Sequence, residues 1–185
     1  MPARVLTRPS AAASNASKPY QLSLIRAHGL VTPETLITTD PQAARQFWSK
    51  HGQVIYKSVS GVRSIVSRLS EAHLERLADV ASCPTQFQRW ISAVDHRVHV
   101  VGEELFASRI EADVDDYRYA SRRARPVSVV ACELPVEVGR ACIELSRNLE
   151  LPLAGIDLRV DDEGTWWCFE VNPSPGFTFY EDQTG

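Results

Sequence analysis

Two short apolar runs near the C-terminal end are separated by a turn signal, and this stretch constrains the chain more than any other. Gly155-Ile-Asp-Leu-Arg-Val160 is followed by Asp161-Asp-Glu-Gly164, then by Trp166-Trp-Cys-Phe-Glu-Val-Asn-Pro-Ser-Pro-Gly176. The pattern predicts a β-hairpin. Strict alternation along its second strand predicts Trp166, Cys168, Glu170 and Asn172 on one face, and Trp167, Phe169 and Val171 on the other. Pairing Val160 with Trp167 puts Asp157 opposite Glu170, whereas a slip of one residue would send it to the other face. Two carboxylates and an amide oxygen on adjacent strands suit a hard cation such as Mg2+. Pro173, Pro175 and Gly176 must end the strand just after Asn172. Taken alone, the same acids also fit solvated positions on the open face of an edge hairpin.

Composition narrows the class. The chain has 185 residues, 44% of them hydrophobic and 23% charged, enough for one ordinary domain or two small lobes with a core. Its net charge of -3 offers no overall attraction to nucleic acid or to anionic membranes, so neither is an expected partner. No apolar run approaches the length that spans a bilayer. Cys83, Cys132, Cys142 and Cys168 form no CxxC pair, so they read as reduced core thiols of a cytoplasmic protein. Residues 1–14 carry Arg4 and Arg8 but no acid, and are expected to be a flexible tail or linker.

Further along, Ser17 and Pro19 open a helix carrying Leu22, Leu24 and Ile25, which Gly29 closes. Lys18 lies at its start. Residues 35–39 predict a strand, and Asp40-Pro41 caps a helix to Lys50 that His51-Gly52 ends. In Gln53-Val-Ile-Tyr-Lys-Ser-Val-Ser-Gly61, Val54 and Tyr56 share one face and Ile55 and Lys57 the other. The strand runs into small residues that let backbone N–H groups approach a phosphate beside Lys57. Residues 64–69 predict another strand, Ser70 caps a helix to about Val80, and residues 83–91 predict a strand leading to a hinge. Residues 95–101 and 105–110 predict a second hairpin, with Asp95, Arg97, His99 and Val101 on one face and Arg109 pointing to the same region. His96 and His99 receive no chemical role. Residues 111–128 are charged and irregular, and Arg122, Arg123 and Arg125 form a basic cluster there. Pro135 then opens an amphipathic helix through Leu149, with Val138, Cys142, Leu145 and Leu149 facing inward.

The closing string GIDLR...WWCFEVNPSPGFTFYE resembles the ATP-grasp ligases, most closely their ribosomal-peptide maturase branch (graspetide, or microviridin-type, synthetases) and more distantly the ligase that adds glutamate to a ribosomal protein. The resemblance implies an α+β ATP-grasp fold over residues 15–185, two α+β lobes with ATP and Mg2+ between them. It implies Mg2+, or Mn2+, held by Asp157, Glu170 and Asn172. It implies nucleotide-phosphate contacts from Lys18 and Lys57, and a mobile covering loop at Ser60 and Gly61. The hinge Arg89-Trp90-Ile91 is implied to bind adenine, Asp95 and Arg97 to reach ribose and phosphate, and Arg118 to approach the phosphates. Lys57, Arg97 and Arg118 are its implied catalytic residues. The resembled enzymes carry a further domain in front of this region and a closing C-terminal helix behind it. Their front domain, supplied in trans, is therefore a candidate partner.

The implied reaction is ATP-dependent ligation. A carboxylate attacks the γ-phosphate, and an amine or hydroxyl captures the acyl phosphate, with catalysis by positioning and charge neutralisation. In the peptide-maturase branch the carboxylate is a peptide side chain and the product a cyclic ester or amide. A ligase of the same chemistry acting on another peptide or small molecule, such as one adding glutamate to a protein, stays open at this stage. So does a noncatalytic nucleotide-binding remnant or half of a split enzyme.

Overall fold

The computed structural model describes residues 6–13, 17–59, 66–112 and 127–184. The chain divides into two compact units, one of residues 33–91 and one of residues 1–32 with 92–185. Each is α+β. The first part of the expectation that residues 64–69 form a strand, and all of Ser60, Gly61, Arg118, Arg122, Arg123 and Arg125, lie outside the described residues.

The unit of residues 33–91 is built on four antiparallel strands in the order β1-β4-β2-β3. These are β1 (Thr35–Thr38), β2 (Val54–Ser58), β3 (Ser67–Arg68) and β4 (Thr85–Arg89). Helix α3 (Pro41–His51) starts where Asp40 accepts a hydrogen bond from the Gln42 backbone N–H at 2.8 Å and stops at Gly52, whose φ is 68°. Val54, Phe87, Ala44, Phe47, Leu74 and Leu77 make its core, with Tyr56 packed against it. The single helix expected from Ser70 to Val80 is instead α4 (Glu71–Glu75) followed by a 3-10 helix, Leu77–Ser82. Ser70 and His73 form a reciprocal capping box at its start, a use of His73 that hydrophobic spacing does not reveal.

The other unit carries five antiparallel strands in the order β7-β6-β5-β8-β9. They are β5 (Ala93–Val101), β6 (Glu104–Ala112), β7 (Val127–Cys132), β8 (Leu153–Asp161) and β9 (Trp166–Asn172). Helices α2 (Lys18–Ala27) and α5 (Val136–Asn148) supply Leu22, Ile25, Cys142 and Leu145 to a core built on Val98, Val100, Ala154, Ile156, Leu158, Cys168 and Val171. Both predicted hairpins form. Strand β7 and helix α6 (Thr178–Thr184) were not anticipated. Within the stretch read as a tail, α1 (Pro9–Ala12) forms, Ala11 packs against the core, and Thr7 donates to the Pro173 carbonyl at 3.0 Å. Ser17 precedes α2, but its side chain makes no cap hydrogen bond.

Two thiol expectations separate. Cys142 and Cys168 are buried, and burial pushes the Cys142 thiol up to about 12 and the Cys168 thiol well above its usual range. Cys83 is exposed, because it follows the 3-10 helix on the surface. Among the described residues, no helix is long and apolar enough to cross a membrane.

Candidate functional site

The five-stranded sheet has one face on the core and one face of paired charges. On β5, Val98 and Val100 point into the core, so alternation sends Asp95, Arg97 and His99 to the other face. Neighbouring strands bring matched partners. Arg97 stands opposite Asp157, and Asp95 opposite Arg159. The Arg97 guanidinium pairs with the Asp157 carboxylate, their side chains 8% and 27% exposed. Arg159 donates to Asp95 at 2.6 Å and lies 5.1 Å from the Phe169 ring centre. Arg109, expected on this face, stands opposite His96, and His96 is on the core side against Trp166. Arg109 therefore belongs to the opposite face, where it pairs with Glu111 at 2.7 Å.

Asp157 faces Glu170, as the sequence predicts, and Gly155 faces Asn172. The route to that register differs. Val160 pairs with Trp166 rather than Trp167, and the register shifts between Asp157 and Leu158. The shift passes over Phe169, a β-bulge that changes the phase of alternation. Cys168 and Val171 are consequently both buried in the core, and Trp166 packs against it. The expectation that Trp166 and Cys168 share a face with Glu170 and Asn172 is thus overturned. Trp167 lies on the charged side, donating to the Asp161 carboxylate at 2.7 Å. Unbroken alternation would have required Cys168 and Glu170 to face the same way, and the extra residue removes that requirement.

The loop after Asn172 is tied at both ends. Asn172 Oδ1 accepts from the Ser174 N–H at 2.9 Å, Thr7 holds the Pro173 carbonyl, and His99 Nε2 is 3.2 Å from the Gly176 carbonyl. A carbonyl only accepts, so Nε2 carries the proton. The His99 ring stands 5.0 Å from the Tyr180 ring, and Arg97 lies 5.9 Å from that same ring. Gly155 makes this packing feasible. A Cβ there would lie 2.6 Å from Pro175 Cβ and would press against the Arg97 guanidinium. His99, Tyr180 and the reason for Gly155 were missed in the sequence, because each depends on contacts between distant segments.

The donor set of Asp157, Glu170 and Asn172 is all oxygen, with two carboxylates and one amide. This chemistry fits Mg2+, which keeps waters and takes phosphate oxygens alongside one or two carboxylates. Asn172 keeps a second lone pair beyond its bond to Ser174. Among the described residues, no three of His, Cys, Asp and Glu gather to hold a metal. Lys18 is the first residue of α2 and half-buried.

In the unit of residues 33–91, Lys57 is buried on β2 and stands opposite Gln86. Ile55 stands opposite Gln88 on the same face, away from the Phe87 and Val54 core. Gln86 and Gln88 are each 1% exposed, and among the described residues the Oε1 of neither has a hydrogen-bond partner. The orientation of Gln88 follows from its neighbours. Thr35 donates to the Pro33 carbonyl at 2.9 Å, so its oxygen accepts from Gln88 Nε2, also at 2.9 Å. That leaves Oε1 as the buried acceptor, and a buried acceptor without a donor is costly unless a ligand supplies one. Neither glutamine was singled out in the sequence, since polar residues alternating with apolar ones in a strand read as solvent-facing. At the hinge, the Arg89 N–H goes to Glu34 O and the Trp90 N–H to Gln53 O. Arg89 is exposed, Ile91 is buried, and the Arg68 guanidinium lies 4.1 Å from the Trp90 ring centre.

Solved structures with this arrangement share the ATP-grasp fold. The ATP-grasp ligase PsnB, complexed with a phosphomimetic variant of its minimal precursor, Mg and ADP, superposes with a TM-score of 0.86 at 31% identity, over 97% of this chain and 57% of that one. A Chryseobacterium gregarium RiPP-associated ATP-grasp ligase, in complex with ADP and leader and core peptides, gives a TM-score of 0.85 at 26% identity, over 97% and 58%. Among curated proteins, the D-alanine--D-alanine ligase of Chromohalobacter salexigens is 26% identical over 91% of this chain and 58% of its own length. Residues 13–185 match the RimK-like ATP-grasp domain, and the chain belongs to that family. It spans between half and three fifths of the length of these relatives.

Proposed function

We propose that this chain is the nucleotide-binding and metal-binding part of an ATP-dependent ligase that joins a peptide or protein side-chain carboxylate to an amine or hydroxyl through an acyl phosphate. The observation that carries the reading is the row Arg97, Asp157, Glu170 across three adjacent strands, with Asn172 next along β9. Asp157, Glu170 and Asn172 would hold Mg2+, and Mn2+ would suit the same oxygens. The metal supplies charge neutralisation at the transferring phosphoryl group. Arg97 orients Asp157 through its ion pair and adds a fixed positive charge beside it. In the unit of residues 33–91, Lys57 would bind phosphate with Ser60 and Gly61, and in the other unit Lys18 and Arg118 are phosphate-binding candidates. Asp95, held by Arg159, would serve the ribose.

The orphaned oxygens of Gln86 and Gln88 fit a base with an exocyclic amine, which supports ATP as the nucleotide. Trp90 and Ile91 would pack on the base, and the exposed side chain of Arg89 is not needed for that. The peptide class of the substrate is supported by the leader, core and precursor peptides in the complexes of the two related ligases. A cytoplasmic site of action agrees with four free thiols.

The test is titration with ATP and Mg2+, followed by phosphate release in the presence of carboxylate-bearing peptides. Glu170→Gln should abolish metal-dependent turnover, by at least about a hundredfold, the size of effect seen when one group stabilising a transition state is lost. Its unfolding curve should stay cooperative. Undiminished turnover in that variant would remove Glu170 from the ligand set.

A further inference from the structure

Strand β9 is the last strand of its sheet, and on its outer side Trp167 forms one isolated parallel bridge, with Val31. In an antiparallel ladder, alternate residues turn their backbone groups toward the partner strand and away from it. Glu170 and Asn172 stand opposite Asp157 and Gly155 on β8. Val171, between them, turns its backbone outward, and a single side chain from α2 satisfies both of its groups. Gln21 Nε2 donates to the Val171 carbonyl at 2.7 Å, and the Val171 N–H donates to Gln21 Oε1 at 3.1 Å. Gln21 is 3% exposed and Val171 is completely buried. Three residues earlier, the Cys168 N–H also turns outward, to the Val31 carbonyl at 2.7 Å. Two outward residues three apart, rather than two or four, are what the bulge over Phe169 produces.

A bulge is a place where a strand can slip by one residue, and such a slip would carry Glu170 and Asn172 to the wrong face. The primary amide of Gln21 offers one donor and one acceptor at the spacing of a peptide group, so it completes the ladder as a neighbouring strand would. We propose that Gln21 is a positioning residue that locks the register of β9 between Glu170 and Asn172, and so sets the affinity of the site for Mg2+. This rests on the metal role given above to those two residues. Gln21 touches neither the metal nor the nucleotide. It acts through the backbone of Val171.

The experiment measures, on the full chain, ATP binding without metal, ATP binding as a function of Mg2+, and unfolding in urea. Gln21→Met fills the same volume without either hydrogen bond, and Gln21→Glu keeps the acceptor for the Val171 N–H and can donate to the Val171 carbonyl only while its carboxyl carries a proton. In Gln21→Met, the Mg2+ concentration for half-saturation should rise about tenfold, the low end of the loss seen when a partner of a metal ligand is removed. Gln21→Glu should show a smaller rise, and ATP binding without metal should be unchanged in both. An unchanged Mg2+ requirement in the variants, or an equal loss of metal-free binding, would overturn the proposal. If Gln21→Met does not unfold cooperatively, Gln21→Glu alone decides on the same readout. Should the unaltered chain bind ATP without any response to Mg2+, the metal role of Glu170 and Asn172 fails instead, and the two failures are thereby distinguished.

Discussion

The two sheets handle buried polarity differently. The five-stranded sheet pairs its two guanidinium groups with carboxylates, Arg97 with Asp157 and Arg159 with Asp95, and Gln21 meets the Val171 backbone; one buried nitrogen, Arg97 Nε, makes no hydrogen bond among the described residues. The four-stranded sheet buries Lys57, Gln86 and Gln88 on one face and leaves two amide oxygens without donors among its described residues. A lattice of matched charges holds its geometry before any ligand arrives, which is what a site acting by electrostatic preorganisation needs. Unmet acceptors do the reverse, leaving a hydrogen-bonding deficit that a bound donor would make good. On the proposed reading, the unit with the five-stranded sheet holds the metal and the unit of residues 33–91 reads the base.

The comparison breaks most sharply at the buried ion pair. Asp157→Ala strips the carboxylate from a buried guanidinium, a change that costs about 3 kcal/mol, the low end for such pairs because Asp157 is partly exposed. The double variant Arg97→Met with Asp157→Leu should recover most of that stability in urea titrations while still failing to turn over. Simple addition of the two single effects would mean that the pair is not coupled. Next in size is Gly155→Ala. The added methyl group meets Pro175 and the Arg97 guanidinium, and overpacking of that kind costs about 1–3 kcal/mol. Turnover should fall as well, because Arg97 must move. A variant as stable and active as the parent would deny Gly155 its role in close approach.

For the four-stranded unit, Gln88→Leu removes the orphaned oxygen along with the bond to Thr35. Fold stability should change by less than about 1 kcal/mol, since a lost hydrogen bond and a relieved buried acceptor offset each other. ATP affinity should drop by up to about tenfold, the worth of one hydrogen bond, and the preference for ATP over GTP should shrink. Equal preference before and after the substitution would argue that Gln88 does not read the base.

Much of this was legible in the sequence, for identifiable reasons. Asp157 opposite Glu170, the Asp40 cap, the inward face of α5 and the sidedness of Val54, Tyr56, Ile55 and Lys57 all follow from periodicity and turn chemistry, which act within a few residues. The bulge over Phe169 was not legible, because an unbroken strand and a bulged one have the same alternating residues. It is fixed by Gln21 and Val31, well over a hundred residues away in sequence. His99, Tyr180 and Gly155 escaped for the same reason. Gln86 and Gln88 escaped because the pattern expected polar residues to face water.

The smallest expected effect tests whether the charged sheet tolerates one more charge. Burial holds the imidazoles of His96 and His99 below their usual range. The Val94 carbonyl opposes this for His96 and nearby Arg109 adds to it, while for His99 Arg97 adds to it and the Gly176 carbonyl and Asp157 oppose it. For a histidine whose folded pKa is depressed, the unfolded chain binds the extra proton first. Stability is therefore complete above the ordinary histidine value of about 6.5 and declines as pH falls from there to the folded value. The slope cannot exceed about 1.4 kcal/mol per pH unit for each histidine. The two lowered carboxylates, Glu34 and Asp161, respond only as pH falls below their ordinary values, outside the interval from pH 7 to pH 5. Urea titrations from pH 7 down to pH 5 should show the midpoint falling in the parent, and less so in His96→Phe with His99→Gln. If the double variant loses stability as steeply as the parent, the proton uptake lies elsewhere and the sheet's resistance to added charge does not come from these two rings.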